Sequence, residues 1–174
     1  ISRDVMEIYN LGFDPADEVV LFPVYSRKGD VLFYKSRSLV GKHFFNAKDI
    51  DKTAAVYGLY QTLEAKIPDS TEIWLVESEI DALSLVSKGI LAWAFMGSDI
   101  SEKQIKEMCQ SPYRRFVIAT DNDEAGRKAA RRIKDKLIPL GFRFFNLKWL
   151  TDLKDVNELI QNYGDDFEDY LHRY

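Results

Sequence analysis

The second half of the chain alternates between short apolar runs and longer segments with helical spacing. Strands are predicted at the apolar runs 73–76, 91–95 and 116–120, and at the segment 142–149. Between them, apolar residues recur three and four positions apart, and Ser101 with Gln104 matches a capping box that opens one helix. Strands that alternate with helices favour a mostly parallel sheet with helices on both faces. We therefore predict an α/β fold for residues 73–162.

The first third of the chain has a different pattern. Residues 19–25 and 31–37 are apolar segments on either side of a turn that contains Gly29, which predicts a β-hairpin. A short helix or irregular segment comes before it, and a helix is predicted at 51–66, ending before Pro68. We therefore divide the chain into two parts, a basic N-terminal α+β subdomain at 1–68 and an α/β domain with a C-terminal helical tail at 69–174.

Acidic residues follow three of the predicted strands. Glu77 follows the first strand, Asp121 and Asp123 follow the third, and Asp155 comes shortly after the last. Ligands of open α/β sheets bind at the carboxyl ends of the strands, so these acids can converge. Asp121 and Asp123 are two positions apart in an extended segment and point the same way. They can therefore share one divalent cation such as Mg²⁺, which takes oxygen ligands.

Each of these acids also has an explanation that needs no ligand. An Asp of the 121/123 pair can cap the helix that follows. Asp155 lies three residues before Glu158, which matches a capping box. Asp81, about one helical turn after Glu77, is either a further ligand or a first-turn acid that the helix dipole favours. The sequence pattern leaves both sets of roles open.

Three segments that contain these acids resemble the successive motifs of the Toprim domain. In the order of the family, they are residues 76–83, 121–129 and 154–159. Their sequences are similar to those of bacterial and phage DNA primases of the DnaG-like type, including the primase part of phage primase-helicases. The predicted hairpin and the segments 42–46 and 56–60 resemble the subdomain that precedes Toprim in these primases. One departure is Ser78, because the family usually has Gly there and Ser has less backbone freedom.

The resemblance implies a fold, an activity and a set of site residues. The fold is a Toprim, or Rossmann-like, sheet with a small N-terminal α+β subdomain. The activity is DNA-templated synthesis of short RNA primers by two-metal nucleotidyl transfer, with two or more Mg²⁺ or Mn²⁺ ions. Glu77, Asp121 and Asp123 are the implied catalytic residues, and Glu77 is either a ligand or an acid/base group. The implied metal ligands are Glu77, Asp81, Asp121, Asp123 and Asp155.

The resemblance also implies contacts with nucleic acid and with other partners. The candidate residues for binding template or nucleotide are Arg37, Lys42, His43, Asn46, Arg127 and Lys128, and either Lys42 or His43 occupies the lysine position of the family. The expected partners are a single-stranded DNA template, ribonucleoside triphosphates and a replicative helicase, separate or fused. The expected location is the cytoplasm of a bacterium or of a phage host.

Two other functions stay open. A Toprim nuclease would use the same metal ions to activate water, and a non-catalytic scaffold would keep the fold for nucleic-acid binding alone. The primase-like hairpin and the segment 56–60 favour polymerisation, because Toprim nucleases are not expected to have that subdomain. A short RNA product or degradation of the template would distinguish the first two.

Charge is unevenly distributed along the chain, which has a net charge of −4. Residues 24–48 contain six cations, one acid and several aromatic residues, a mixture that suits a groove for phosphates and bases. The alternative is an amphipathic hairpin with a solvated basic face and an aromatic core face. A second basic run lies at 127–136, where most cations are expected on solvated surface and only Arg127 and Lys128 are expected to reach a phosphate.

Composition excludes several classes of protein. The 174 residues contain one Cys and two His, so neither an intrachain disulfide nor a tetrahedral Cys/His zinc site can form. No apolar run approaches the roughly 18 residues of a membrane span. The phosphate-binding loop of ATP-driven motors is absent as well.

Overall fold

The computed structural model describes residues 1–39, 51 and 53–174 in full and the backbone of 44–46. It contains two sheets. The first is antiparallel, in the order β1-β2-β3-β4, and follows the short helix α1 (Arg3–Ile8). Its strands are β1 (Gly12–Asp14), β2 (Val19–Tyr25), β3 (Val31–Ser38) and β4 (Phe44–Asn46). The predicted hairpin is confirmed as β2 and β3.

The basic residues of β3 lie on the inner face of this sheet. Phe33, Lys35 and Arg37 alternate along the strand, and Phe33 is buried while Tyr34 on the other face is 51% exposed. The Nζ of Lys35 lies 2.5 Å from Oε2 of Glu79, and their side chains are 12% and 2% exposed. A solvated basic face with an aromatic core face is therefore wrong for this strand, because Lys35 pairs with the buried Glu79 and Tyr34 faces solvent.

The second sheet has the order β6-β5-β7-β8-β9. Its first four strands are parallel and β9 is antiparallel to β8. The strands are β5 (Glu72–Val76), β6 (Ala92–Ala94), β7 (Arg115–Ile118), β8 (Arg143–Trp149) and β9 (Leu171–Arg173). The mostly parallel α/β sheet is thus confirmed. The chain ends in the edge strand β9, however, so the expected helical tail is only part of this region.

Helices cover both faces of the second sheet. They are α3 (Glu79–Val86), α4 (Glu102–Cys109), α5 (Glu124–Leu137) and α6 (Val156–Tyr163), with short 3₁₀ helices at Ile138–Leu140 and Gly164–Tyr170. On one face, Leu83 of α3 and Leu159 of α6 share a buried cluster with Phe22 of the first sheet. On the other face, Met108 of α4 and Ile133 of α5 pack against the sheet. The first sheet therefore shares a hydrophobic core with the α3 and α6 side.

The helix α2 (Leu59–Glu64) is shorter than the predicted helix at 51–66. Gly58 before it has φ +87°, and a Cβ there would lie 2.6 Å from the carbonyl oxygen of Ala92. The backbone of Tyr57 pairs with that of Ala94 through N–O distances of 2.9 and 3.0 Å. This pairing holds residue 57 at the sheet edge, so the helix begins only after Gly58.

The division of the chain at residue 68 stays a prediction. Leu59 of α2 belongs to the buried cluster under α4 and α5, so α2 packs against the second sheet. Across the ranges that the structure describes, no helix combines the length and the apolar character that a bilayer-spanning helix needs.

Candidate active site at the ends of the parallel strands

The loop after β7 holds Asp121 tightly against the start of α5. Asp123 is the N-cap of α5, and its Oδ1 accepts a hydrogen bond from the backbone N–H of Gly126 at 2.8 Å. The hydroxyl of Thr120 donates to the carbonyl of Gly126 at 2.9 Å. A Cβ on residue 126 would lie 2.0 Å from the carbonyl oxygen of Asp121. Glycine is therefore needed here, because the backbone of Asp121 passes directly over the helix.

Glu77 joins the first motif to the second. It follows β5, which is paired with β7, and its Oε1 accepts a hydrogen bond from the backbone N–H of Asp121 at 3.2 Å. The next residue, Ser78, is the N-cap of α3 and has φ −116°. This conformation is ordinary for any residue, so Ser in place of the family's Gly introduces no backbone strain.

Asp81 joins the first motif to the third. Its side chain is buried, accepts a hydrogen bond from the Ser78 hydroxyl at 2.5 Å, and accepts another from the backbone N–H of Asn157 at 3.2 Å. Asp155 is the N-cap of α6, and its Oδ1 accepts from the N–H of Glu158 at 2.8 Å. The structure thus brings all three acidic segments together, and it gives Asp123 and Asp155 capping contacts as well.

Lys154 and Asn122 are site residues that were not among those predicted from the sequence. The Nζ of Lys154 lies 2.9 Å from Oδ2 of Asp121. Asn122 donates its backbone N–H to the carbonyl of Lys154 at 2.6 Å, and its amide donates to the carbonyls of Thr151 and Leu153. These hydrogen bonds and this ion pair connect the second motif to the third. Both residues lie inside the acidic motifs, and that position was the only signal for them in the sequence.

The carboxylates of this site are short of positive charge. Burial raises the pKa of Glu77 to about 7, and the negative charges of Asp121, Asp123 and Asp81 add to the effect. Burial also raises the pKa of Asp81 to about 6, with the charges of Asp155 and Asp121 adding and the Ser78 hydrogen bond opposing. The hydrogen bond to Asp121 raises the pKa of Lys154. Lys154 is thus the cation that partly balances the cluster.

The chemistry of these side chains fits a divalent metal ion. Carboxylate oxygens are the ligands that Mg²⁺ and Mn²⁺ prefer, and a bound cation would offset the repulsion between Glu77, Asp121 and Asp81. Within the described part of the chain, no three acidic, His or Cys side chains lie close enough to form a complete metal site. Side-chain rearrangement would therefore have to accompany metal binding.

The candidate phosphate-binding residues are spread over several surfaces. Lys128 lines a cavity of about 480 Å³ with Glu77 and Asp123, and its Nζ lies 2.6 Å from Oε1 of Glu124. Arg127 lines another cavity on the opposite flank of α5.

The remaining candidates belong to the N-terminal part of the chain. Arg37 lines a cavity of about 670 Å³ that also contains Ile80 and Asn157. Asn46 is described only by its backbone, which pairs with Lys35. Lys42 and His43 lie outside the described residues.

The raised pKa of Glu77 predicts how stability changes with pH in the absence of metal. Folded Glu77 takes up its proton near pH 7, whereas an ordinary carboxyl does so near 4.5, so the folded state holds more protons between these values. Stability should therefore fall as the pH rises through this range. The substitution Glu77→Gln removes the titrating carboxyl. Between about pH 5 and about pH 8, the melting temperature of this variant should therefore fall less than that of wild type.

Thermal melts in EDTA would measure this difference. Asp152→Asn, at an exposed acid near the third motif, should keep the wild-type decline. The same decline in Glu77→Gln and wild type would contradict a raised pKa for Glu77.

Comparison with known proteins agrees with this geometry. The family model described as Toprim-like matches residues 74–160, which is half of the chain. A DNA primase of Pseudomonas aeruginosa is 28% identical over 162 residues, which cover 88% of this chain and 24% of that primase. The chain thus spans about a quarter of that relative.

Solved structures show the same fold over nearly the whole chain. A DnaG primase catalytic domain bound to single-stranded DNA superposes with a TM-score of 0.79 at 20% identity, over 99% of this chain and 69% of the other. The primase fragment of the bacteriophage T7 primase-helicase superposes with a TM-score of 0.71 at 20% identity, over 97% of this chain and 69% of that fragment. The chain belongs to the Toprim-like family, and its fold is that of the DnaG catalytic core.

Proposed function

We propose that this protein is the catalytic core of a DNA primase that copies single-stranded DNA into short RNA primers. One observation supports this most directly. Three acidic segments meet at the carboxyl ends of β5 and β7, where Glu77 accepts a hydrogen bond from Asp121. An antiparallel sheet of the primase type lies over the same side of the domain, and Lys35 joins it to Glu79.

The proposed reaction joins ribonucleotides on a template. The 3′-oxygen of the primer bonds to the α-phosphorus of the incoming nucleotide, the bond from that phosphorus to the β-phosphate oxygen breaks, and pyrophosphate leaves. Bound Mg²⁺ or Mn²⁺ would activate the hydroxyl and neutralise the leaving group. Asp121 and Asp123 would hold the metal ions with Glu77, while Asp81 and Asp155 complete the shell. The proton of the 3′-hydroxyl passes to water where Glu77 is a metal ligand. As the alternative, Glu77, whose pKa burial raises to about 7 in the metal-free protein, accepts that proton.

Cations around the carboxylates would orient the phosphates of the substrate. Lys128 and Arg132 line the cavity that also contains Glu77 and Asp123, so the triphosphate of a ribonucleotide can lie there beside the metal ligands. Arg37, with Lys42 or His43, would contact the template on the N-terminal side. As part of a replication enzyme, the protein would act in the cytoplasm with a replicative helicase, separate or fused.

A primer-extension assay tests the proposed activity. The 174-residue chain is incubated with ribonucleotides, Mg²⁺ or Mn²⁺, and a labelled RNA oligonucleotide annealed to a DNA template. The annealed oligonucleotide removes the need for a particular initiation sequence. Template-dependent extension of the RNA is the expected result, and a reaction with template of different sequence should change which ribonucleotides are required. Degradation of the DNA, or no extension with either metal, would overturn the proposal.

Asp155→Asn should separate metal binding from helix capping. Asn is as good an N-cap as Asp, so the contact with the N–H of Glu158 is kept and the melting temperature without metal should stay unchanged. The negative charge is lost, so we expect primer synthesis to fall by about 10- to 100-fold and the Mg²⁺ concentration for half-maximal activity to rise.

Asp155→Ala is the matched variant, because it removes the cap as well as the charge. It should lose about 1 kcal/mol of stability in addition to activity. If Asp155→Asn has wild-type activity and wild-type Mg²⁺ dependence, Asp155 serves only as the cap of α6.

A further inference from the structure

A basic cavity lies between α5 and strand β8 of the second sheet, next to Asp121. Its volume is about 400 Å³. Four cations line it, Arg127, Arg131 and Lys134 from α5 and Lys148 from β8. The three helix residues are four and three positions apart, so they share one face of α5. Cations from two different elements thus surround the same space.

The charges in this cavity are poorly compensated. Arg127, Arg131 and Lys148 make no ion pair with any residue that the structure describes, and the Nζ of Lys134 donates to the neutral side chain of Asn146 at 2.6 Å. The acid that lines the cavity, Asp121, is already paired with Lys154 at 2.9 Å.

The other flank of α5 is different. There, Lys128 pairs with Glu124, and both Arg132 and Lys136 pair with Asp99. The cations of that flank therefore have acidic partners, whereas Arg127, Arg131 and Lys148 have none among the described residues. Like charges held together repel each other, and an anionic ligand would remove this cost.

An aromatic residue lines the same cavity. Tyr174 lies beside the cations, and its ring is stacked with that of His172 at 6.3 Å. Cations that bind phosphate, next to rings on which a base can stack, are typical of sites for nucleotides and single strands. The volume is also in the range of small-molecule sites, about 300–1,000 Å³.

We propose that this cavity, which adjoins the carboxylate cluster at Asp121, is a second site that binds the phosphate groups of a free nucleotide or of a nucleic-acid strand. Arg131 and Lys148 hold the phosphates from opposite walls, with Arg127 and Lys134 completing the positive surface. The site needs no metal ion, because its own cations supply the positive charge. It can therefore be tested by binding alone, independently of primer synthesis.

Two binding measurements in EDTA test the site and distinguish its ligands. Inorganic tripolyphosphate is titrated by isothermal titration calorimetry, which needs no reporter side chain. A fluorescein-labelled oligo(dT) is titrated by anisotropy at several salt concentrations. The cavity variant is Arg131→Gln/Lys148→Gln. The control is Lys106→Gln/Arg143→Gln, which also removes one Lys and one Arg, at exposed positions elsewhere.

We expect tripolyphosphate to bind wild type saturably. Its affinity should fall at least about tenfold in the cavity variant and less than about twofold in the control. An unchanged oligonucleotide affinity would then identify free nucleotides as the ligand. A weaker oligonucleotide affinity, with a salt slope lower by about 1.4 for two lost phosphate contacts, would identify a strand.

The proposal is overturned if the cavity variant binds both probes as wild type does, or if the control loses as much affinity. Absence of saturable binding by wild type would overturn it too. Thermal melts check that the variants are folded, and the single variants at Arg131 and Lys148 replace the double variant if it melts early. None of these results depends on primer synthesis, so failure here and failure of the proposed activity can be told apart.

Discussion

Asp123→Asn is expected to abolish primer synthesis while the protein stays folded. The Oδ1 of Asp123 caps α5 through the N–H of Gly126, and Asn can make the same contact. What Asn lacks is the negative charge that a divalent cation prefers. Loss of a residue that only hydrogen-bonds to a metal ligand already lowers metal affinity or activity by about 10- to 100-fold. We therefore expect the activity of Asp123→Asn to fall by at least about 100-fold. Primer extension at increasing Mg²⁺, together with a thermal melt, measures both quantities.

Asp121→Asn should give a similar loss of activity with an additional change. The partner of Lys154 is then neutral, so the pKa of Lys154 should fall towards its ordinary value. Asp152→Asn is the control, since it removes one negative charge at an exposed position near the same loop. Full activity of both Asp121→Asn and Asp123→Asn, with an unchanged metal requirement, would show that these carboxylates are not the metal ligands.

Gly126→Ala is expected to destabilise the protein and to inactivate it. The new Cβ would lie 2.0 Å from the carbonyl oxygen of Asp121, so the loop that holds Asp121 must move away from α5. Forced packing of this kind costs about 1–3 kcal/mol, and at the upper value the melting temperature would fall by roughly 6–12 °C. Activity should fall further than stability, because the movement displaces a proposed metal ligand.

Gly97→Ala is the matched control for this substitution. Residue 97 is exposed, and the nearest atom to its added Cβ would be 4.0 Å away. Its melting temperature should therefore stay close to that of wild type. If Gly126→Ala has the same melting temperature as Gly97→Ala and keeps its activity, the close approach of Asp121 to α5 is not needed for the site.

Much of the fold was predictable because its periodicity is local. Strands β5 and β7 are nearly continuous apolar runs, and the capping box of Ser101 and Gln104 marks the start of α4. The start of α2 was not predictable in the same way. Residues 51–58 have apolar spacing that suits a helix, but the pairing of Tyr57 with Ala94 across the sheet excludes one. Such a contact between distant residues has no signature in local sequence.

The acidic residues of the site could be predicted from the sequence, but its basic residues could not. Carboxylates at the ends of apolar strands are conspicuous, and the structure brings Glu77, Asp121 and Asp81 together as the strand order requires. Lysines and arginines occur all over the surface, so their roles depend on what lies opposite them. From the sequence, Arg131 and Lys148 are expected to be ordinary exposed cations. Only the packing of α5 beside β8 places them around one cavity.

The ion pair between Lys35 and Glu79 has a consequence for motion. Both side chains are nearly inaccessible to water, and separating them would leave two unpaired charges in apolar surroundings. Breaking a buried pair in this way typically costs about 3–5 kcal/mol. Strand β3 and helix α3 should therefore move as one body. Under the proposed function, binding of a template would leave the spacing between β3 and α3 unchanged, and any opening and closing would be left to the loops.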